Sequence, residues 1–238
     1  MKLLLISNST MPGEPYLDYP KLEIKDFLGS KPVNALFIPY AAVTFSFDLY
    51  ESKVEERFAE IGHHVTSIHH YADPVKAVRE AEAIIVGGGN TWQLVRMMHD
   101  NNIMKAIRLK VQNGTPYIGW SAGANVACPT LRTTNDMPII DPHGFDCMGL
   151  VPFQINPHYL DANPEGHGGE TREQRILEFL EVNPEITVVG LREGTMFKYE
   201  NNSLQLIGNR NVRIFKKGMI PKELKAGDNF DFLMDSPV

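Results

Sequence analysis

Apolar residues along this chain follow two alternating rhythms. Short runs rich in aliphatic and β-branched residues, at Lys2–Ser7, Val33–Tyr40, Val65–His69, Ala83–Gly87, Pro116–Trp120 and Ile186–Leu191, have the length of strands. Two of them, Ala35-Leu36-Phe37-Ile38 and Ala83-Ile84-Ile85-Val86, are apolar without a break, as strands covered on both faces are. Between the runs, Leu49–Ile61, Thr91–Met98, Met104–Val111 and Arg172–Val182 carry apolar residues three and four apart, the spacing of a helix with one buried face. The βαβα order predicts an α/β fold, a mostly parallel sheet with helices on both faces. Near the C-terminus, Ser203–Ile207 and Val212–Lys216 flank Gly208-Asn209-Arg210-Asn211, which predicts a C-terminal edge hairpin. No repeat or linker interrupts the pattern, so residues 1–238 are expected to form a single α/β domain. The tail from about Pro221 is the part the pattern describes least.

Composition narrows the partners. Apolar residues make up 43% and charged residues 22%, enough for a real core and unlike a disordered chain. A formal charge of −6 without a Lys/Arg cluster argues against nucleic acid and anionic membrane surfaces, which leaves a small molecule as the expected partner. Cys128 and Cys147 are the only cysteines and sit in no CxxC or Cys/His ligand pattern, so both are expected to be reduced and structural. The apolar start Met1–Ile6 stops at Ser7-Asn8-Ser9 without a cleavage-type site and reads as a first strand. No window reaches the roughly 18 apolar residues of a membrane span, and a cytoplasmic location is expected.

The strongest chemical signal is Gly119-Trp120-Ser121-Ala122-Gly123, between a predicted strand and the helix-compatible Ala124-Asn125-Val126-Ala127. This is the GxSxG elbow, in which the serine sits on a sharp strand-to-helix turn and glycines avoid clashes on either side. Ser121 is the candidate nucleophile. His158, in Gln154-Ile155-Asn156-Pro157-His158-Tyr159, comes directly off an apolar segment and is the candidate base. His63-His64 and His69-His70 flank a predicted strand; adjacent strand residues face opposite sides, so these four are not expected to converge on a metal. His99 at a helix end and His167 in a Gly-rich loop suit solvated roles better.

A third group should orient the imidazole, and two carboxylates compete for that role. Glu193 follows the strand Ile186–Leu191 at its carboxyl end, where doubly wound sheets collect functional groups. Asp136 lies in the turn Thr133-Thr134-Asn135-Asp136-Met137-Pro138, where its own backbone has need of it. Glu193 is the favoured member and Asp136 the alternative. Gly87-Gly88-Gly89-Asn90 closes an apolar strand and opens a helix; it lacks the third glycine of a dinucleotide fingerprint and any Walker lysine. The better reading is an oxyanion hole made by the N–H groups of Gly89 and Ala122. Thr171 and Gln174 form a T-x-x-Q capping box, which puts Arg172 in the first turn of a helix, where the dipole disfavours a cation and a carboxylate ligand would favour it.

At these residues the chain resembles a known family. Lys2–Thr10, Ile85–Thr91, Ile118–Asn125, Arg132–Pro138 and Ile155–His158, in this order and spread over nearly the whole chain, are similar to the peptidase E family of α-aspartyl dipeptidases. The resemblance implies a fold like that of the class I glutamine amidotransferase domain, with serine in place of the amidotransferase cysteine. It implies hydrolysis of small peptides with an N-terminal L-aspartate (Asp-Xaa), without a metal or organic cofactor. It puts the nucleophile at Ser121 and the base at His158, and suggests that Arg172 pairs with the aspartyl carboxylate of the substrate. Both Asp136 and Glu193 have family counterparts, so the resemblance leaves the third member open, as it leaves open a homo-oligomer. From the residues alone, a carboxylester hydrolase using the same serine and a non-catalytic binder of acidic metabolites are the competing readings.

Overall fold

The computed structural model describes residues 1–166 and 168–235, so His167 lies outside the described residues. In chain order the elements are β1 (Leu3–Ile6), α1 (Lys21–Leu28), β2 (Asn34–Ile38), α2 (Phe47–Ala59), β3 (His64–Ser67), a 3₁₀ turn at Ile68–His70, α3 (Pro74–Glu80), β4 (Ile84–Val86), α4 (Thr91–Asp100), α5 (Met104–Gln112) and β5 (Tyr117–Trp120). There follow α6 (Ala122–Asn125), β6 (Gln154–Pro157), α7 (Arg172–Val182), β7 (Thr187–Leu191), β8 (Met196–Glu200), β9 (Ser203–Ile207), β10 (Val212–Lys216), β11 (Lys222–Leu224) and a 3₁₀ turn at Asp231–Leu233. Seven strands form one sheet in the order β3-β2-β4-β5-β1-β8-β9, and four form a second in the order β11-β10-β7-β6.

The first sheet is parallel from β3 through β1 and antiparallel at β8 and β9. Its continuous apolar strands are explained by two cores, one on each face. Leu3 and Leu5 of β1, with Leu36 and Ile38 of β2, pack with α3, α4 and α5; the alternate residues Leu4, Ile6, Ala35 and Phe37 pack with Ile24 and Phe27 of α1 and Val54 and Phe58 of α2. The second sheet contributes Ile155, Val189 and Leu191 to the first of these cores, while its other face holds Val188 and Phe215 against Ile176 and Leu180 of α7. Among the described residues no helix is long and apolar enough to cross a membrane.

The structure departs from the sequence pattern at two places. Ser203–Ile207 and Val212–Lys216 do not pair with each other. The edge hairpin is formed one strand earlier, by β8 and β9 across Asn201-Asn202, whose φ angles of 53° and 59° are those a tight two-residue turn requires. Gly208–Asn211 instead carries the chain to the other sheet, where β10 lies between β7 and β11. A Cβ at Gly208 would meet the Gly194 carbonyl oxygen at 2.4 Å, so the glycine serves a close backbone approach as well as a turn. The second departure is at β3, which ends at Ser67; Ile68–His70, read from sequence as partly strand, wind into the 3₁₀ turn. The tail is built into the fold through β11 and through the buried Phe230 and Leu233.

Candidate active site

Parallel strands bring their carboxyl ends to one edge. In the first sheet Ile6 of β1 and Val86 of β4 flank the end of β5, pairing with Trp120 and Gly119. The residues that follow, Ser7, Gly87–Gly89 and Ser121, therefore collect at the same edge. In the second sheet β6 and β7 run parallel with Pro157 opposite Leu191, which sends out His158 and the Arg192-Glu193 pair side by side.

Ser121 leaves β5 with φ 53° and ψ −111°, a conformation disfavoured for a residue with a Cβ and worth roughly 1–3 kcal/mol of strain. The flanking glycines show what the turn demands. A Cβ at Gly119 would lie 2.3 Å from the Gly123 carbonyl oxygen, and one at Gly123 would lie 2.1 Å from that of Val86. Behind the serine, Asn125 is buried and donates from Nδ2 to the Ile155 carbonyl at 2.9 Å, tying α6 to β6.

His158 also has positive φ, 53°. Its ring spans two groups, with Nε2 2.9 Å from Ser121 Oγ and Nδ1 2.7 Å from Glu193 Oε1. With the proton on Nδ1 donated to the carboxylate, Nε2 is left as acceptor for the serine hydroxyl. Serine comes from one sheet and histidine and glutamate from the other, so their alignment depends on how the sheets are joined. Ser7, buried at the end of β1, makes that joint: its Oγ donates to the Leu191 carbonyl at 2.8 Å and accepts from His158 N–H at 3.0 Å. Asn8 continues it, its Oδ1 accepting from Gly194 N–H at 2.8 Å and from the Tyr19 hydroxyl at 2.8 Å. In the sequence, polar residues at the carboxyl end of a parallel strand are the signal for Ser7 and Asn8.

Asp136 is occupied elsewhere. Its Oδ2 accepts from Thr91 N–H at 2.7 Å, Thr91 Oγ1 at 2.6 Å and Thr134 Oγ1 at 3.0 Å, at the first residue of α4. A carboxylate there meets the positive end of the helix dipole, a structural use that explains its place in the turn.

The glycine loop between β4 and α4 lies against the serine. A Cβ on Gly88 would come within 3.0 Å of Ser121 Cβ, and one on Gly89, whose φ is 135°, within 2.3 Å of the Ala41 carbonyl oxygen. Tyr50 of α2 donates to the Gly88 carbonyl at 2.9 Å. That carbonyl shares its peptide with Gly89 N–H, and the two point in opposite directions in a trans peptide, so Tyr50 sets the direction of the N–H. Burial pushes the Tyr50 phenol up to about 12, which keeps it a donor. No signal in the sequence pointed to Tyr50, whose contribution comes from a helix 38 residues away along the chain.

Arg172 opens α7 behind the capping box, in which Gln174 N–H donates to Thr171 Oγ1 at 3.2 Å and Thr171 N–H to Gln174 Oε1 at 2.7 Å. It is half-buried, and loss of water, followed by the nearby Arg175, lowers its pKa below the ordinary guanidinium value, while Asp136 acts in the opposite sense. Among the described residues its guanidinium has neither a hydrogen-bond partner nor an ion pair, although Arg175 is paired with Glu170. It lines a cleft of about 320 Å³ with Leu160, Asn163, Pro164, Glu170 and Arg175.

Sequence relationships extend over nearly the whole chain. The model of peptidase family S51 matches residues 3–207. The chain belongs to peptidase family S51. Within that frame, it is 53% identical over 234 residues to "Peptidase E" of Nostoc sp. (strain PCC 7120), covering 98% of this chain and 97% of the relative. It is 50% identical over 230 residues to "Peptidase E" of Salmonella typhimurium (strain LT2), covering 97% and 100%. Solved structures share the S51 member's fold: a peptidase from an acI-B1 Actinobacterium has TM-score 0.67 at 18% identity, covering 96% of each chain. A putative peptidase E protein of Listeria monocytogenes EGD-e has TM-score 0.58 at 20% identity, covering 94% of this chain and 98% of that one. The S51 chain is a serine peptidase, which sets aside the carboxylester hydrolase and the non-catalytic binder as its principal activity.

Proposed function

We propose that this S51 peptidase hydrolyses dipeptides with an N-terminal L-aspartate through an acyl-enzyme on Ser121, with His158 as base and Glu193 as its orienting acid. The observation that carries the reading is the single imidazole in hydrogen-bond contact with both Ser121 and Glu193. His158 accepts the serine proton as Oγ attacks the aspartyl carbonyl, and Glu193 stabilises the imidazolium that forms. Gly89 and Ala122 N–H groups receive the oxyanion, the first aimed by Tyr50 and the second standing at the start of α6. The imidazolium returns its proton to the departing amine, and water releases aspartate by the reverse sequence. Arg172 pairs with the substrate β-carboxylate; a half-buried guanidinium without a partner among the described residues supports that role. The meeting of both sheets at one centre favours treating the chain as one domain, and two unpaired cysteines, Cys128 and Cys147, suit a reducing compartment such as the cytoplasm.

The test is pre-steady-state release from an aspartyl chromogenic amide, followed by a panel of Asp-Xaa, Glu-Xaa, Asn-Xaa and N-acetyl-Asp-Xaa peptides. A burst stoichiometric with enzyme, preference for Asp-Xaa and abolition of turnover by Ser121→Ala are expected. A Ser121→Ala variant retaining activity within about tenfold would overturn the serine mechanism, and equal turnover of Asn-Xaa would overturn the specificity.

A further inference from the structure

The carboxylate face of α2 meets the 3₁₀ turn after β3 in a cluster that the peptidase chemistry leaves unused. Asp48 and Glu51, three residues apart, share one side of the helix. His69 and His70 come from the turn, and their rings lie 4.0 Å apart. Read as strand residues they would diverge; wound into a 3₁₀ turn they reach the same helix face. We propose that Asp48, Glu51, His69 and His70 form a binding site for one divalent transition-metal ion of the zinc class.

One ligand atom from each of the four side chains lies within 4.8 Å of every other. His69 Nε2 is 2.9 Å from Asp48 Oδ1, and His70 Nε2 is 2.6 Å from Glu51 Oε2. Bonds of about 2.0–2.2 Å to a tetrahedral ion put ligand atoms roughly 3.3–3.5 Å apart, so the two hydrogen-bonded pairs open by roughly 0.4–0.9 Å, and any of the other separations that reach 4.8 Å close by about 1.3–1.5 Å, to admit it. Two imidazoles and two carboxylates are the nitrogen and oxygen donors zinc accepts, and two ionised carboxylates with neutral imidazoles match its charge.

The ligands are also held from behind. Ser67 Oγ contacts His69 Nδ1 at 2.6 Å, leaving Nε2 directed at the cluster, and Ser67 N–H donates to Glu51 Oε1 at 2.6 Å, leaving Oε2 free to face inward. Outer contacts of this kind fix the ring orientation and ligand rotamer before an ion arrives. Ser67 is fully buried, and the Glu51 side chain is 18% exposed, so the base of the site is rigid. Asp48, 78% exposed, stands at the open side as the ligand free to adjust. A bound ion cross-links the first turns of α2 to the end of β3; hydrolysis at Ser121 does not pass through it.

The experiment is calorimetric titration of Zn²⁺ alone into the chelator-treated full chain at neutral pH, with thermal melts. One equivalent is expected to bind and raise Tm. His69→Ala should weaken binding by about tenfold or more, and Asp48→Asn, at an exposed position that the fold tolerates, by about threefold or more. Both should keep metal-free peptidase turnover within about twofold. A His158→Ala variant should retain the equivalent, which separates this site from zinc captured beside Ser121. Absence of binding at about 100 µM zinc overturns the proposal. A binding equivalent that survives both cluster variants, or disappears with His158→Ala, does so equally.

Discussion

Replacing Glu193 by glutamine tests whether the glutamate–histidine contact has the role assigned to it, because the change is isosteric and removes only charge and acceptor character. In the wild type, Nδ1–H faces Oε1 at 2.7 Å. An amide can turn its NH₂ toward Nδ1 instead, which favours the tautomer with hydrogen on Nε2 and leaves no acceptor for the Ser121 proton. The lost attraction to the imidazolium adds to this. Charges centred about 4 Å apart interact by about 4 kcal/mol at an effective dielectric of ~20. His158 and Glu193 side chains are 38% and 35% exposed, so solvent screening leaves only part of this attraction. Glu193→Gln should therefore lower kcat by roughly 10²–10³-fold, below the ~10⁴ known for a buried acid in a serine protease. Asp136→Asn provides the contrast. It weakens three contacts at the start of α4 and should cost about 1–2 kcal/mol, a fall in Tm of roughly 2–8 °C, with turnover per folded molecule kept within about threefold. Both variants are measured by aspartyl-amide turnover normalised to folded fraction, beside thermal melts. An Asp136→Asn protein that melts normally but is inactive, with a fully active Glu193→Gln, would refute the assignment.

Three further outcomes follow from the same geometry. Arg172→Lys keeps the charge but loses the planar fork, and kcat/KM for Asp-Xaa should fall by roughly 10–100-fold while stability is unchanged; equal efficiency in a steady-state assay would put the selecting group elsewhere. Tyr50→Phe keeps the ring but strips the Gly88 carbonyl of its donor, so kcat should fall about tenfold at nearly constant KM, with the wild-type contribution undiminished up to about pH 10 because the phenol is pushed up to about 12; a change in Tm alone would make Tyr50 merely structural. Ser7→Ala removes the two side-chain contacts that tie β1 to Leu191 and His158, and kcat should drop by roughly tenfold in a single-turnover assay; loss of stability with unaltered chemistry would show that His158 is held by other contacts.

Much of the architecture is written in local patterns. Uninterrupted apolar runs such as Ala83–Val86 announce strands covered on both faces, and the capping box at Thr171 places the start of α7 at Arg172. The serine elbow is legible for the same reason: its glycines answer contacts within a few residues or with the adjacent strand, and glycine is the residue that such contacts leave possible. Pairing between distant segments is not encoded so directly. Val212–Lys216 has the alternation of a strand, but nothing in it says that its partner is β7 rather than β9, because the competing pairings bury similar side chains. Glu193 is favoured over Asp136 by its place at the carboxyl end of a strand, but its contact with His158 is not written in either local segment. Only the approach of the two sheets, fastened through Ser7, brings Glu193 to His158 and leaves Asp136 on α4. At β3 a single change of local winding decided more than composition could: a strand would have sent His69 and His70 to opposite faces, whereas the 3₁₀ turn directs both at α2.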